Sequence, residues 1–222
     1  LVKLLLKLDF NVKVYDNNLR GSLDRFYDIK NEIEFIDGDI RDLDLLIKTS
    51  KRIDKIFHLA ALNGTSNFYN RPEQVIEIGT KGIINAIDAS KINNISEFYL
   101  ASTSEVYNIP PEIPTKEDVR LIVPDIFNPR YSYSGSKIIS ELYLINYGSK
   151  YFDKSIIFRP HNVYGPNMGY EHVIPELIKK IYNLNKNNEK QNKLRIQGTG
   201  NETRAFIYIS DFINALEIII KN

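Results

Sequence analysis

The chain has 222 residues, 43% of them hydrophobic and 26% charged, which is enough for one globular core and part of a second lobe. Its 29 Lys and Arg residues nearly balance its 28 Asp and Glu residues, and no apolar run reaches the roughly 20 residues of a membrane span, so we expect neither a nucleic-acid nor a membrane partner. The absence of cysteine excludes disulfides and thiolate metal sites and agrees with a reducing compartment, and we expect a cytoplasmic protein.

Short β-rich runs alternate along the chain with longer stretches that carry apolar residues at helical spacing. Strands separated by helices pair in parallel, so the pattern predicts a doubly wound parallel α/β sheet. The predicted strands are 12–16, 33–37, 55–61, 97–103 and 155–160. The predicted helices are 1–9, 41–50, 72–91, 134–150, 173–184 and 210–221, and the polar segment 183–193 is predicted to be a surface loop or a frayed helix end.

The first predicted strand ends in Asp16, which Asn17 and Asn18 follow. An acid at the end of the second strand of a dinucleotide fold can accept hydrogen bonds from the adenosine ribose, and it repels the extra phosphate of NADP. The alternative is that Asp16 only opens a turn. The glycine-rich turn that would decide the matter is not in the chain, and the predicted helix starts at residue 1, so we expect an N-terminal truncation of about one strand and one turn.

Several further segments follow the ends of predicted strands. GDIRD (38–42), HLAA (58–61) and ASTSEVY (101–107) lie at three such ends, and the stretch RYSYSGSKIISE sets Tyr133 four residues before Lys137 at the start of a predicted helix. Positions four residues apart share one face of a helix. Because ligands of open α/β sheets bind outside the carboxyl ends of the strands, we expect these segments to converge on one crevice.

In this order, and with RPHNVYGP (159–166) and GTGNETRAFIYISD (198–211), the motifs resemble those of the extended short-chain dehydrogenase/reductase family, in particular its nucleotide-sugar epimerases, dehydratases and decarboxylases. The resemblance covers almost the whole chain, although a Tyr-x-x-x-Lys pair alone is a weak signal. It implies a Rossmann-like domain at 1–160 that lacks its first strand and binds NAD. It also implies a C-terminally truncated nucleotide-sugar-binding lobe at 161–222.

The resemblance implies roles for the residues of the Tyr-x-x-x-Lys region. Tyr133 is expected to be the base that takes the sugar hydroxyl proton, with Thr103 hydrogen-bonded to the reacting oxygen. Lys137 is expected to bind the cofactor ribose and, together with the positive nicotinamide, to lower the phenol pKa from its ordinary value near 10. The alternative is a partly buried tyrosine beside a lysine whose stem covers apolar surface.

Ser104 and Glu105 follow Thr103, where simple 4-epimerases of the family usually carry small or neutral side chains. The triplet resembles those of GDP-mannose dehydratases and UDP-glucuronate decarboxylases. Glu105 is therefore expected to act at C5 or C6 of the 4-keto sugar, which favours a 4,6-dehydratase or a decarboxylase over a 4-epimerase. The alternative is an acid that only orders the loop.

The remaining site residues are also implied by the resemblance. The expected cofactor contacts, besides Tyr133 and Lys137, are Asp16, Asn17, Asp39, Ile40, Leu59, Ala60 and Ala61. The expected substrate contacts are Asn162, His172, Val173, Arg195, Gln197 and Arg204, with a β-element over 194–206 that touches the base. Arg204 is read as a phosphate clamp because guanidinium offers a planar fork of donors, and the alternative is a surface salt bridge. The three histidines lack metal-like spacing, so no metal site is predicted.

Three departures from the family concern the cleft, and the first is ALNGTSNFY (61–69), which stands where many relatives carry a His or Lys and a Val-x-x-Ser run. Gly79 stands where many relatives have asparagine, and Asn108 stands where glycine is usual. The relatives often dimerise through helices equivalent to 72–91 and 134–150, so a homodimer is expected for the full-length protein. A different class also stays open, a non-catalytic protein that binds NAD or a nucleotide sugar.

Overall fold

The computed structural model describes residues 1–170, 172–186, 193–196 and 198–222. The chain divides into two compact units, Leu1–Pro160 and His161–Asn222. Strands alternate with helices in both units, and every strand pair in these described ranges is parallel. The predicted parallel α/β class is therefore confirmed.

Two parallel sheets lie in the first unit and one lies in the second. The first unit pairs β1 with β2 and orders its other three strands β3-β4-β5, whereas the second unit pairs β6 with β7. The carboxyl ends of paired strands stay level, since Asp16 lies opposite Asp37 and Ala101 lies opposite Phe158. The strands are β1 (Val12–Asp16), β2 (Ile33–Asp37), β3 (Lys55–His58), β4 (Glu97–Ala101), β5 (Lys154–Phe158), β6 (Asn162–Tyr164) and β7 (Phe206–Tyr208).

The helices begin where the sequence offers a cap or a preset backbone. Asp42 caps α2 by accepting the backbone N–H of Leu45 at 3.0 Å, and Pro72 opens α4 at a position that needs no N–H donor. The helices are α1 (Val2–Lys7), α2 (Leu43–Thr49), α3 (Thr65–Asn70), α4 (Pro72–Ile92), α5 (Ser132–Tyr151), α6 (Val173–Lys186) and α7 (Ile209–Lys221). Short 3-10 helices at Leu23–Phe26, Ser104–Tyr107 and Pro129–Tyr131 complete the set.

The core of the first unit lies between α4, α5 and the three-stranded sheet. Burying these side chains removes most of their apolar surface from water, at about 25 cal/mol per Å². A second cluster packs around α3 and the start of α5, and it includes Tyr133. The main cluster consists of Ile83, Ala86, Ile87, Phe98, Leu100, Leu144 and Phe152.

The observed elements correct several predicted ones. Strands β3, β4 and β5 end at His58, Ala101 and Phe158, before the predicted ends, because apolar and small residues continue past the last strand residue. The six-residue α3, which buries Phe68, was not predicted. The β-element predicted over 194–206 is wrong for its described residues, of which only Phe206 is in a strand. Gly198 and Gly200 adopt φ of 84° and 86°, which bends the backbone instead.

The contact between α4 and α5 is close because small residues face each other. A Cβ built on Gly79 of α4 would lie 2.5 Å from Ser136 Oγ and 2.7 Å from its Cβ. Ser140 Oγ on α5 also donates to the Gly79 carbonyl at 3.4 Å. Glycine at position 79, a departure from the family pattern, therefore sets the distance between α4 and the helix that carries Tyr133 and Lys137.

Gly79→Ala is expected to lower the melting temperature. The added methyl forces Ser136 or the backbone to move, which typically costs about 1–3 kcal/mol, against a gain of about 1 kcal/mol from better helix propensity. Gly135→Ala on α5 is the control, because its Cβ would meet Val123 at an ordinary 3.7 Å. Circular dichroism melting should place Gly79→Ala below wild type and Gly135→Ala at or above it, and equal melting of the two variants would contradict the packing argument.

Candidate active site

The first two turns of α5 hold the tyrosine and lysine singled out from the sequence. Tyr133 is 7% exposed, and its ring stacks on Phe68 with the centroids 5.5 Å apart. Lys137 is buried, and its Nζ donates to the Ala101 carbonyl at 2.7 Å, at the end of β4. The Lys137 nitrogen lies 6.0 Å from the Tyr133 ring centre. The Thr103 hydroxyl lies close enough to the Tyr133 phenol to lower its pKa, so the structure brings Tyr133, Lys137 and Thr103 together.

The segment after β4 carries Thr103, Ser104 and Glu105, the other three residues singled out from the sequence. Thr103 caps the 3-10 helix Ser104–Tyr107, and its Oγ1 accepts the Glu105 N–H at 3.2 Å. The backbone N–H of Ser104 donates to the Pro160 carbonyl at 2.9 Å, which fixes this segment to the chain that follows β5. Glu105 is partly exposed, with a carboxylate oxygen 3.9 Å from the Arg130 guanidinium.

The pKa of Tyr133 lies above its ordinary value in the protein alone. Burial raises it most, and the negative charge of Glu105 raises it further, against smaller lowering effects of the Thr103 hydrogen bond and Arg20. The predicted lowering by Lys137 together with the nicotinamide concerns the complex with the cofactor and stays a prediction, whereas in the protein alone the pKa of Tyr133 is raised. Lys137 directs its ammonium to the Ala101 carbonyl, and burial lowers its own pKa to about 8, opposed by the charge of Glu141. The predicted effect assumed a lysine aimed at the phenol, which helical spacing cannot establish.

Asp16, Asn17 and Asp39 meet where β1 and β2 end. The Asn17 amide donates to the Asp39 carboxylate at 3.3 Å, and Arg41 binds the same carboxylate at 2.7 Å and holds the Asp39 pKa at about 2. Asp16 is exposed, and its Oδ1 accepts the Asn18 N–H at 2.7 Å. Asp16 thus does open a turn, as the alternative predicted, and this turn places its carboxylate at the exposed carboxyl edge.

The other expected cofactor residues lie beside the same edge. Leu59, 47% exposed, follows β3, and Ala60 and Ala61 after it are half-buried and small enough to leave the backbone accessible. Ile40 is half-buried, and its carbonyl accepts the Asn85 amide at 3.1 Å. A carboxylate at the end of β1, a small-residue backbone after β3 and a lysine on α5 form a donor and acceptor set that fits a dinucleotide.

The second unit contains the expected substrate residues. Asn162 opens β6, and its amide donates to the Ala205 carbonyl at 3.0 Å, just before β7. Arg204 is exposed, and its guanidinium donates to the neighbouring Thr203 carbonyl at 2.7 Å. The structure therefore places Arg204 next to the residue that Asn162 contacts.

The remaining expected substrate residues lie around α6. His172 is half-buried just before the helix, and Val173, 49% exposed, is its first residue. Arg195 is exposed, and its carbonyl accepts the Lys180 ammonium at 3.4 Å. Gln197 lies outside the described residues.

A cationic cavity of about 680 Å³ lies between α6 and the segment 193–196. Lys180, Asn183 and Leu184 line it from the helix, and Lys193 and Arg195 line it from the segment. Glu176 pairs with Lys180 at 2.6 Å, which leaves an excess of positive charge. Sequence reasoning identified Arg195 but missed the two lysines, because only the fold brings α6 beside residues 193–196.

Asn108 is a further residue whose role was missed. It adopts φ of 45°, a left-handed conformation that asparagine tolerates better than most residues, which explains how it occupies a position where glycine is usual. Its amide donates to the Ile122 carbonyl at 2.6 Å, and its oxygen accepts from Ser134 Oγ at 3.3 Å. Asn108 thus connects the active-site segment to the first turn of α5.

Within the residues that the structure describes, no group of three His, Asp or Glu side chains could hold a metal ion. Among the helices of the described ranges, none is long and apolar enough to cross a bilayer. His58 ends β3 in the first unit, whereas His161 and His172 belong to the second.

A parallel α/β fold with a buried tyrosine, lysine and threonine at the strand ends defines a dinucleotide-type protein of the short-chain dehydrogenase/reductase class. The whole chain, residues 1–222, matches the model of the NAD dependent epimerase/dehydratase family. The chain belongs to this family, whose cofactor is NAD.

Known relatives include enzymes with different reactions. The chain is 32% identical over 196 residues to dTDP-D-glucose 4,6-dehydratase of Dictyostelium discoideum, covering 85% of this chain and 43% of that protein. It is 30% identical over 220 residues to a putative UDP-glucose 4-epimerase of Methanocaldococcus jannaschii, covering 97% of this chain and 67% of that protein. Both relatives are consistent with membership of this family, but they catalyse different reactions.

A solved structure of a family member has a similar fold. UDP-N-acetylglucosamine 4-epimerase from Methanobrevibacter ruminantium M1, in complex with UDP-N-acetylmuramic acid, superposes with a TM-score of 0.79 at 28% identity. The match covers 96% of this chain and 66% of that one. The chain spans 43%, 51% and 52% of the length of three curated 4,6-dehydratases that it matches.

The buried His58 is expected to make stability depend on pH. Burial and then the Lys137 charge lower its pKa to about 3, against about 6.5 in the unfolded chain. Because the folded value is the lower one, the unfolded chain binds a proton that the folded chain does not, and stability is lost as pH falls below about 6.5. Between pH 7 and 5, wild type should lose about 2 kcal/mol more unfolding free energy than His58→Gln, as measured by urea titration. Equal losses in the two proteins would show that His58 is not held neutral.

Proposed function

We propose that the protein containing this chain is an NAD-dependent nucleotide-sugar enzyme that oxidises the sugar at C4 to a 4-keto intermediate. The observation that carries the proposal is the cluster at the end of β4. The Thr103 hydroxyl lies close enough to the Tyr133 phenol there to lower its pKa, and Lys137 lies beside the same phenol on the next turn of α5. Family membership and the enzymes among its relatives support this assignment.

Each of these side chains has a role in the proposed oxidation. Thr103 orients the C4 hydroxyl, and Tyr133 takes its proton as the C–H bond breaks. Bound NAD supplies the hydride acceptor and a positive charge. Lys137 keeps its ammonium near the phenol, and its pKa of about 8 leaves it largely protonated at neutral pH. Stacking of Phe68 on the phenol excludes water from one side of the ring.

For the second half of the reaction we propose a 4,6-dehydratase. The C5 hydrogen of a 4-keto sugar is acidic because its removal gives an enolate, and loss of the C6 hydroxyl as water then leaves a double bond between C5 and C6. The hydride removed from C4 would return to C6 and a proton to C5, so that the cofactor ends the cycle oxidised. Glu105 lies near enough to Tyr133 for its charge to raise the phenol pKa, and Arg130 keeps a cation beside it. A carboxylate in this position is suited to collecting the C5 proton. The dehydratase of Dictyostelium, 32% identical to this chain, supports the same reaction.

Two other activities are alternatives within the same site. A 4-epimerase needs Tyr133 and Thr103 but no carboxylate at C5, and the relatives from two methanogens favour it. A decarboxylase would use Glu105 to orient the substrate and would need a cation near the sugar carboxylate, for which Arg130 is the candidate. A non-catalytic binding protein, in contrast, has no need of the phenol and the buried lysine.

The two units are proposed to divide the ligands between them. The first unit is proposed to bind NAD along the residues from Asp16 to Lys137, and the second is proposed to bind the nucleoside diphosphate. The cationic cavity beside α6 supports the second assignment, since a diphosphate needs positive charge. Exposed apolar side chains on α5, among them Leu142 and Ile145, support the proposal of a homodimer.

Removing the Tyr133 hydroxyl tests the proposed base. Tyr133→Phe in the full-length enzyme is expected to lower turnover by at least about 100-fold, because proton transfer is lost, with NAD binding changed by less than about twofold. Tyr131→Phe, two residues earlier in the chain, is the control and should keep wild-type turnover. Steady-state kinetics and a cofactor-binding titration are the measurements. Tyr133→Phe activity within tenfold of wild type would remove Tyr133 from the role of base.

Glu105→Gln separates dehydratase from epimerase. If Glu105 collects the C5 proton, the variant should still oxidise C4 but accumulate the 4-keto sugar, because only the second proton transfer is lost. Wild-type product formed in deuterium oxide should then carry solvent deuterium at C5, detected by NMR. Glu112→Gln, an exposed carboxylate of the same loop, is the control. Interconversion of C4 epimers without solvent label, at the same rate in wild type and Glu105→Gln, would favour the epimerase.

A further inference from the structure

One face of α5 contacts three consecutive residues at the end of β4. Tyr133, Lys137 and Glu141 are spaced four residues apart, so they lie one above the other on this face. Lys137 donates to the Ala101 carbonyl, Glu141 accepts from Ser102 Oγ, and the Thr103 hydroxyl lies near enough to the Tyr133 phenol to lower its pKa. The first and third contacts involve the proposed catalytic groups, whereas the second does not enter the proposed chemistry.

Glu141 is the centre of a buried ionic network. Its side chain is 2% exposed, and its two oxygens accept from Arg159 Nε at 2.9 Å and from a terminal Arg159 nitrogen at 2.6 Å. Arg159 also donates to the Tyr107 hydroxyl at 3.1 Å and to the Glu117 carbonyl at 2.9 Å. One ion pair therefore connects α5, the end of β5, the 3-10 helix after Thr103 and the loop beyond it.

A buried ion pair such as Glu141 and Arg159 contributes little net stability. Removing two charges from water costs several kcal/mol per ion, and apolar residues of similar size often stabilise as well or better. Fork-shaped bonds between guanidinium and carboxylate fix direction as well as distance. This pair fixes Ser102, one residue before Thr103, and Tyr107, at the other end of the segment that carries Glu105.

We propose that Glu141, held by Arg159, is a positioning residue that keeps residues 101–107 in register with Tyr133 and Lys137 on α5. Its catalytic consequence rests on the proposed function, whereas its effect on the local geometry and charge does not. Glu141 also places a carboxylate four residues from Lys137, where it favours the ammonium that burial disfavours.

The other titratable groups around Lys137 set the background for the test. His58 faces it from β3 and is neutral near pH 7, because burial and the Lys137 charge lower its pKa to about 3. Tyr133 faces it from the preceding turn and is also neutral, since burial raises its pKa. Among these three neighbours, Glu141 is therefore the one whose negative charge raises the pKa of Lys137.

The first measurement is the pKa of Lys137 in this chain, followed by NMR of carbon-13-labelled lysine and assigned by the signal lost in Lys137→Arg. Glu141→Gln is expected to lower this pKa by roughly one unit, because a nearby opposite charge is removed. Glu97→Gln is the matched control, since Glu97 pairs with Lys55 at 2.5 Å at the opposite end of β4. A Lys137 pKa that is the same in Glu141→Gln and wild type would overturn the electrostatic part of the proposal.

The second measurement is steady-state kinetics of the full-length enzyme. Glu141→Gln should lower kcat roughly tenfold or more with KM for the nucleotide sugar within about twofold, whereas Glu97→Gln should change neither. Ser102→Ala keeps the Glu141–Arg159 ion pair and removes only the contact between Ser102 and Glu141. It should lower kcat without changing the Lys137 pKa. If Glu141→Gln fails to fold, the kcat of Ser102→Ala is the test of the positioning role. Wild-type kcat in Ser102→Ala would overturn the positioning role. The Lys137 pKa in Glu141→Gln is measured without any turnover, so it tests the positioning role even if the proposed function is wrong. A failure of the proposed function would instead appear as near wild-type activity in Tyr133→Phe.

Discussion

The arrangement of the first unit depends on polar side chains that α5 buries against the end of β4. An ammonium, a phenol and a carboxylate taken out of water each need partners, since an unbonded buried polar group costs about 1–3 kcal/mol or more. Lys137 and Glu141 find theirs in Ala101, Ser102 and Arg159. The helix cannot slide along the sheet without breaking these bonds together, so the buried polar groups determine its register.

Packing between the two long helices makes this arrangement possible. Gly79 and Ser136 bring α4 and α5 close together, and the apolar cluster beneath them includes Ile83 and Leu144. Dispersion contacts in such a cluster fix the distance between the helices, but they have little directional preference and so fix the orientation of the helices poorly. Apolar packing therefore supplies the stabilisation, while the polar face of α5 supplies the orientation that a chemical site needs.

Sequence patterns predicted what is local and missed what arises between distant segments. Alternating apolar patterns predicted the parallel α/β class, and helical spacing placed Tyr133 and Lys137 on one face of α5. The raised pKa of Tyr133 in the protein alone could not be foreseen, because desolvation depends on the whole surroundings and not on one neighbour. Glu141 shares the spacing of the other two and could have been noticed, but its partner Arg159 is 18 residues away and becomes visible only in the fold.

The parallel ladders have a consequence for the order in which the chain can fold. Lys55 and Glu97, partners at the start of β3 and β4, are 42 residues apart along the chain. Closing such loops costs entropy before any ladder bond is gained, so sheet formation waits for segments that can order locally. The helices α4 and α5, at 21 and 20 residues, can each begin to order through their own hydrogen bonds, but the contact between them joins residues as distant as Gly79 and Ser140. The parallel ladders and the contact between α4 and α5 are therefore both expected to form after the single helices have begun to order, since each joins segments that are far apart along the chain.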